Sequence, residues 1–300
     1  MTAPSHSRPA GAVYDRGYRP YDGPRGGRRA SVAALYRATL RRALGFRRPW
    51  RQKVLPWLLL AIVTVPAAVN VGIAYVTRDT PLSNVSIITY RQYVGVSSAL
   101  LFFVAWTAPD VLCPDRRNRV LPLIFARPLT GTDYALAKLA AIGTVLFAFS
   151  TLPQAGLFIG QMLVSRDGSL DYLVDNAAVL WQVPVAVALL SLYYAAIGLA
   201  LSSLTGRRVV AAASFLGLLL VSSAVAGTLR VGRGTSPATD ALNLLALPIH
   251  ARDLVFLGRL DPDTRLSTLA GGELLVVASY LTVVAVALAV LLWRYRWAEA

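Results

Sequence analysis

The 300-residue chain is 56% hydrophobic and 15% charged, with a mean hydropathy of +0.55, whereas an ordinary soluble domain is nearer half apolar and about a quarter charged. Its 30 Lys and Arg against 15 Asp and Glu leave a net charge of +15, and 13 of the cations precede Val54, where the first long apolar run begins. That placement suits anionic lipid headgroups rather than nucleic acid, and a single cysteine, Cys113, excludes an intrachain disulfide or a multi-cysteine metal site.

Residues 1–29 are rich in Gly, Pro, Arg, Ser and Tyr and too poor in aliphatic side chains to offset the entropy of ordering, so a disordered basic cytoplasmic tail is expected there. The first ~50 residues lack the apolar core of a secretory signal, so the first spanning helix is expected to direct insertion. Over 30–50, Val32, Leu35, Tyr36, Thr39, Leu40, Ala43 and Phe46 recur at spacings of three and four, with Arg37, Arg41 and Arg48 opposite. This predicts an amphipathic interfacial helix with Ser31 as N-cap, followed by an inward turn over 49–56. A soluble helix packed on a partner protein would show the same periodicity.

A spanning helix needs about 20 apolar residues, and six segments qualify: 54–76, 93–113, 134–164, 177–204, 209–229 and 274–292. The fold class predicted for 51–300 is therefore an all-α, polytopic six-helix transmembrane bundle. With both termini cytoplasmic, the tail, the 114–133 loop, the 205–208 turn, the C-terminal segment and Lys138 hold 22 of the 30 cations, as the positive-inside rule requires. The long outside loop, 230–273, has an apolar middle broken by Pro248 and charge, which predicts short interfacial helices; a re-entrant hairpin is the alternative.

No catalytic constellation is legible. Neither lysine, Lys53 or Lys138, completes a phosphate-cradling loop, and the histidines are only His6 and His250, so no metal-binding His pair or base within a span is available. The chain is expected not to be an enzyme, with no cofactor and no metal of its own. Asn70, Gln154, Gln182, Tyr193 and Tyr194 fall inside predicted spans, where a polar group either bonds across helices or lines a substrate path. Pro66, Pro153 and Pro184 interrupt three spans.

Between the second and third spans, Asp115, Arg116, Arg117 and Arg119 precede an apolar Leu121–Phe125 step, then Ala126-Arg127-Pro128-Leu129, then Tyr134 and Lys138 at the start of the third span, which Thr132-Asp133 can cap. This segment resembles the cytoplasmic loop of ABC-2 type permeases, the membrane subunits of a class of ATP-binding-cassette exporters. The six-span count, the helix before the first span and the long last outside loop extend the resemblance over 31–296. The resemblance implies a permease in a bacterial plasma (inner) membrane that pairs with a second permease, as homodimer or heterodimer. It also implies docking to a separate ATP-binding subunit, which would carry the ATP and Mg. The 114–133 loop would couple the two, through Asp115, Arg116, Arg117, Arg119, Leu123, Phe125, Arg127 and Pro128. A non-transporting membrane scaffold or assembly protein is the alternative.

Overall fold

The computed structural model describes residues 26–46, 50–78, 80, 88–94, 97–166, 168–231 and 236–296. Most of the expected tail, together with Arg48, Pro49 and the last four residues, lies outside the described residues. All described regular structure is helical: α1 (Arg28–Ala43), α2 (Trp50–Thr77), α3 (Tyr90–Val94), α4 (Ser97–Arg117), α5 (Leu121–Phe125), α6 (Gly131–Val164), α7 (Ser169–Asp175), α8 (Val179–Leu204), α9 (Arg208–Val231), α10 (Leu247–Leu257) and α11 (Gly272–Arg296), with 3-10 turns at Pro237–Leu242 and Arg265–Thr268.

Five described helices are long and apolar enough to cross a bilayer: α6, α8, α9, α11 and the Trp57–Thr77 part of α2. Of the expected second span, 93–113, the described part belongs to α3 as far as Val94 and to α4 from Ser97, and α4 runs on through Pro109 and Pro114 to Arg117. Its last two turns therefore carry Asp110, Asp115, Arg116 and Arg117, which lowers its apolarity below that of the other five. The described part of the long loop forms two 3-10 turns and α10, which packs on α8 and α11.

Three local expectations are corrected. Helix α1 starts one turn before Ser31, at Arg28, with Gly27 at the N-cap and no side-chain cap; the Arg28 guanidinium is held by both carboxylate oxygens of Asp133, at 2.7 and 2.9 Å, which anchors the extra turn. A turn is described at Leu44–Phe46, and 50–56 of the expected turn is already helical as the start of α2. The Phe46 N–H reaches Arg41 O (2.9 Å) and the Gly45 N–H reaches Arg42 O (3.1 Å), a six-to-one and five-to-two closure that needs the left-handed backbone of Gly45 (φ 75°). Finally, α6 is capped by Thr130, not Thr132: its hydroxyl accepts from the Asp133 N–H (3.2 Å) while Asp133 accepts from the Thr130 N–H (3.1 Å), a reciprocal capping box.

Helix α8 is the centre of the bundle and packs against α4, α6, α9, α10 and α11. Protein buries 72% of its most apolar stretch, against 11% for α2, which stands at the periphery. Small residues suit that centrality, because Ala195, Ala196, Gly198 and Ser202 on α8 and Ala105 and Ala108 on α4 are all buried where the two helices pack. A Cβ at Gly198 would lie 2.6 Å from Val104 Cγ1 and 3.2 Å from Ala108 Cβ.

Candidate functional site

The helix ends divide the molecule into two chemically distinct poles. One gathers α1, the C-terminal ends of α4 and α11, α5, the N-terminal end of α6 and the α8–α9 turn; its described side chains include fourteen Arg or Lys and three Asp (Asp110, Asp115, Asp133). The other gathers α3, α7, α10 and the 3-10 turns, its described side chains including seven arginines matched by seven Asp or Glu. One sequence signal, the asymmetry of cations between loops, thus becomes one face of the folded molecule.

At the basic pole the organising residue is Asp115, 7% exposed. Its Oδ2 accepts from Lys138 Nζ (2.8 Å) and from the Tyr134 hydroxyl (2.8 Å), and its Oδ1 accepts from Arg42 (3.0 Å). Lys138 and Tyr134 are four apart on α6, so one helix face presents both, and Lys138 also donates to Val111 O (3.1 Å). The Tyr134 ring lies 4.8 Å from that of Tyr295 at the end of α11 and 6.0 Å from Phe125 on α5. Arg116 donates to Ser203 O, and Arg208 pairs with Asp110 at 2.6 Å, so α4 is tied to both sides of the α8–α9 turn. Asp115 and Arg116 therefore face inward and join helices to one another.

Outside this clamp the picture changes. Arg117, Arg119, Arg127 and Pro128 are exposed, and Leu123 on α5 is 73% exposed, while Phe125 is half-buried against the core. Arg119 ends α4 in a left-handed conformation (φ 52°), closing the helix with its N–H on Arg116 O (3.1 Å) and the next N–H on Asp115 O (3.1 Å). Glycine is the residue at ease there, and an L side chain costs roughly 1–2 kcal/mol. Arg37 and Arg41 on α1 are exposed, whereas Arg42 turns in to Asp115. The result is an apolar step flanked along the chain by three exposed arginine side chains, chemistry suited to an acidic-rimmed apolar groove.

The five polar residues expected within spans do not converge. Asn70 donates to Ile88 O (3.0 Å) and meets Gln161, whose Oε1 accepts from the Tyr90 and Tyr172 hydroxyls at 2.7 and 2.8 Å, closing α2, α3, α6 and α7 together. Gln182 donates to Phe256 O (3.4 Å) and Tyr193 to Leu244 O (3.0 Å), fastening α8 to the long loop. Tyr194 is wholly buried beside Tyr193, and Gln154 stands apart in the middle of α6. Across the same pole, Arg91 pairs with Asp261 and with Asp253 (3.6 Å), and Arg230 with Asp240 (2.9 Å). The buried roles of Arg42 and Tyr134 escape sequence reading, although the four-residue spacing of Tyr134 and Lys138 is visible there. No protein-family model matches the chain, and no curated protein matches it.

Proposed function

We propose that this chain is the transmembrane permease subunit of an ABC-2 type exporter, driven at its basic pole by a separate ATP-binding subunit that holds the ATP and Mg, and paired with a second permease. The observation that carries this reading is α5, a five-residue apolar step with Leu123 projecting outward between exposed Arg117, Arg119 and Arg127. Through Phe125 it touches Tyr134, and through Tyr134 it reaches Asp115, Lys138 and Arg42. A push on the step is therefore transmitted to α1, α4, α6 and α11 together. In this reading α4 is the sixth crossing, the basic pole is cytoplasmic, and the membrane is the plasma membrane of a bacterium. No nucleic acid and no reaction on this chain is involved.

The test is purification of the tagged chain from mild detergent with assay of co-eluting ATP hydrolysis. Reversing the exposed trio (R117E, R119E, R127E) removes the bound ATPase while leaving the chain folded and in the membrane. An ATPase that stays bound to the triple variant overturns the docking surface. A well-folded chain that brings down no ATPase, even after crosslinking in native membranes, supports the non-transporting scaffold instead.

A further inference from the structure

Between α2, α4 and α6 lies a partly open cavity of ≈ 20 Å³, walled by Leu59, Val63, Leu100, Phe103 and Phe149 and reached by the side chains of Ser150 and Gln154. The Phe103 and Phe149 rings, 4.7 Å apart, form one wall. Gln154 is 2% exposed and Ser150 9%, yet Gln154 Oε1 and Ser150 Oγ have no hydrogen-bond partner among the described residues. An orphaned polar atom in an apolar interior costs free energy comparable to a lost hydrogen bond. The Gln154 amide cannot escape by turning over, because its Nε2 already donates to Ser150 O (3.3 Å) and the flipped amide would set oxygen against oxygen. On the same turn, Pro153 brings no N–H, so the carbonyl of Phe149 loses its usual helical donor. The turn thus leaves two groups that can only accept, Gln154 Oε1 and the Phe149 carbonyl, beside the Ser150 and Thr151 hydroxyls, which can donate as well as accept. No cation lines the cavity, so an anionic head would be desolvated there without compensation.

The cavity borders the outlying helix. Helix α2 is the outlying helix, and Leu58, Ile62, Val65 and Val69, spaced along it, are each at least half exposed, while Leu59 and Val63 turn to the cavity. Gln154 stands sixteen residues beyond Lys138, about 24 Å of helix rise from the basic pole.

We infer that this cavity is a lateral, membrane-facing subsite for an apolar molecule bearing a neutral hydrogen-bond donor, such as a long-chain alcohol, whose hydroxyl donates to Gln154 Oε1 while its chain lies along α2. The inference deepens the transport reading by naming a class of cargo, and rests on that reading for its physiological meaning. The experiment uses the full chain in phosphatidylcholine nanodiscs, with a photoreactive diazirine hexadecanol and its methyl ether as probes, and maps the labelled peptides by mass spectrometry. The alcohol labels the 99–103 and 149–154 segments about fivefold more than the ether, the worth of one neutral hydrogen bond. The near-isosteric Gln154→Met variant brings the alcohol down to the ether's level.

Equal labelling by alcohol and ether in the unmodified chain overturns the proposal and leaves the cavity as the seat of one buried water. So does labelling that Gln154→Met fails to change. If the variant does not fold, the alcohol-to-ether ratio of the unmodified chain decides alone. No ATPase enters this assay, so failure of the docking model leaves its readout standing, and an ATPase-coupled chain with equal labelling loses only the subsite.

Discussion

Asp115 receives donors from two helices, and its removal leaves Lys138, 3% exposed, as an uncompensated buried charge. Breaking one side of a buried pair costs about 3–5 kcal/mol, so Asp115→Ala should lower the detergent-solubilised chain's thermal midpoint by many degrees. Asp115→Ala combined with Lys138→Met should recover part of that loss, because the orphaned charge is gone; a double variant no better than the single one would show that the ion pair is not what holds α4 to α6. At the opposite pole, the Asp261 carboxyl is held below its ordinary range by the Asp263 N–H and by Arg91. A depressed carboxylate contributes stability above its unfolded pKa, near 4, and loses it as pH falls through the folded value. The stability difference between the unmodified chain and Asp261→Asn, followed by thermal unfolding, should therefore be constant near neutrality and vanish in acid. A difference that persists at low pH would remove Asp261 ionisation as its source.

Among the elements, the α4–α8 seam is the least forgiving. With 2.6 Å between an added Cβ at position 198 and Val104, Gly198→Ala must displace a buried helix or side chain, a cost of about 1–3 kcal/mol. Val104→Ala should relieve it, and a double-variant cycle on unfolding midpoints measures the coupling. The end of α4 offers the opposite case. Arg119→Gly should raise stability by about 1 kcal/mol by removing left-handed strain, yet weaken ATPase capture by removing one exposed cation. Unchanged capture with raised stability would mean that the arginine is not retained there for docking.

For the whole molecule, the two poles make a prediction independent of any partner. In a Cys113→Ser background, Leu123→Cys and Ser169→Cys occupy exposed sites at opposite poles. A membrane-impermeant maleimide applied to intact cells should label only Ser169→Cys, and Leu123→Cys should react only after permeabilisation. Labelling of both from outside would mean that the apolar helices do not separate the poles across a bilayer.

Helicity, membrane character and the sorting of cations to one set of loops were legible in the chain itself, because spanning length and loop charge depend on runs of residues near in sequence. The limits of α6 and α8 follow the apolar runs to within two or three residues. Three-dimensional packing alone decided what those residues do. Helix α4 ran past the expected end of its span to Arg117; Thr130 rather than Thr132 took the cap; Asp115 and Arg116 turned inward from an expected surface patch while Arg117, Arg119 and Arg127 stayed out. The inward turns depend on partners far along the chain, Arg42 and Lys138 for Asp115 and Ser203 for Arg116, as the early start of α1 depends on Asp133 for Arg28. Local pattern carries no record of which distant donor a buried carboxylate will meet, and burial without such a donor is too costly for the fold to leave unmet.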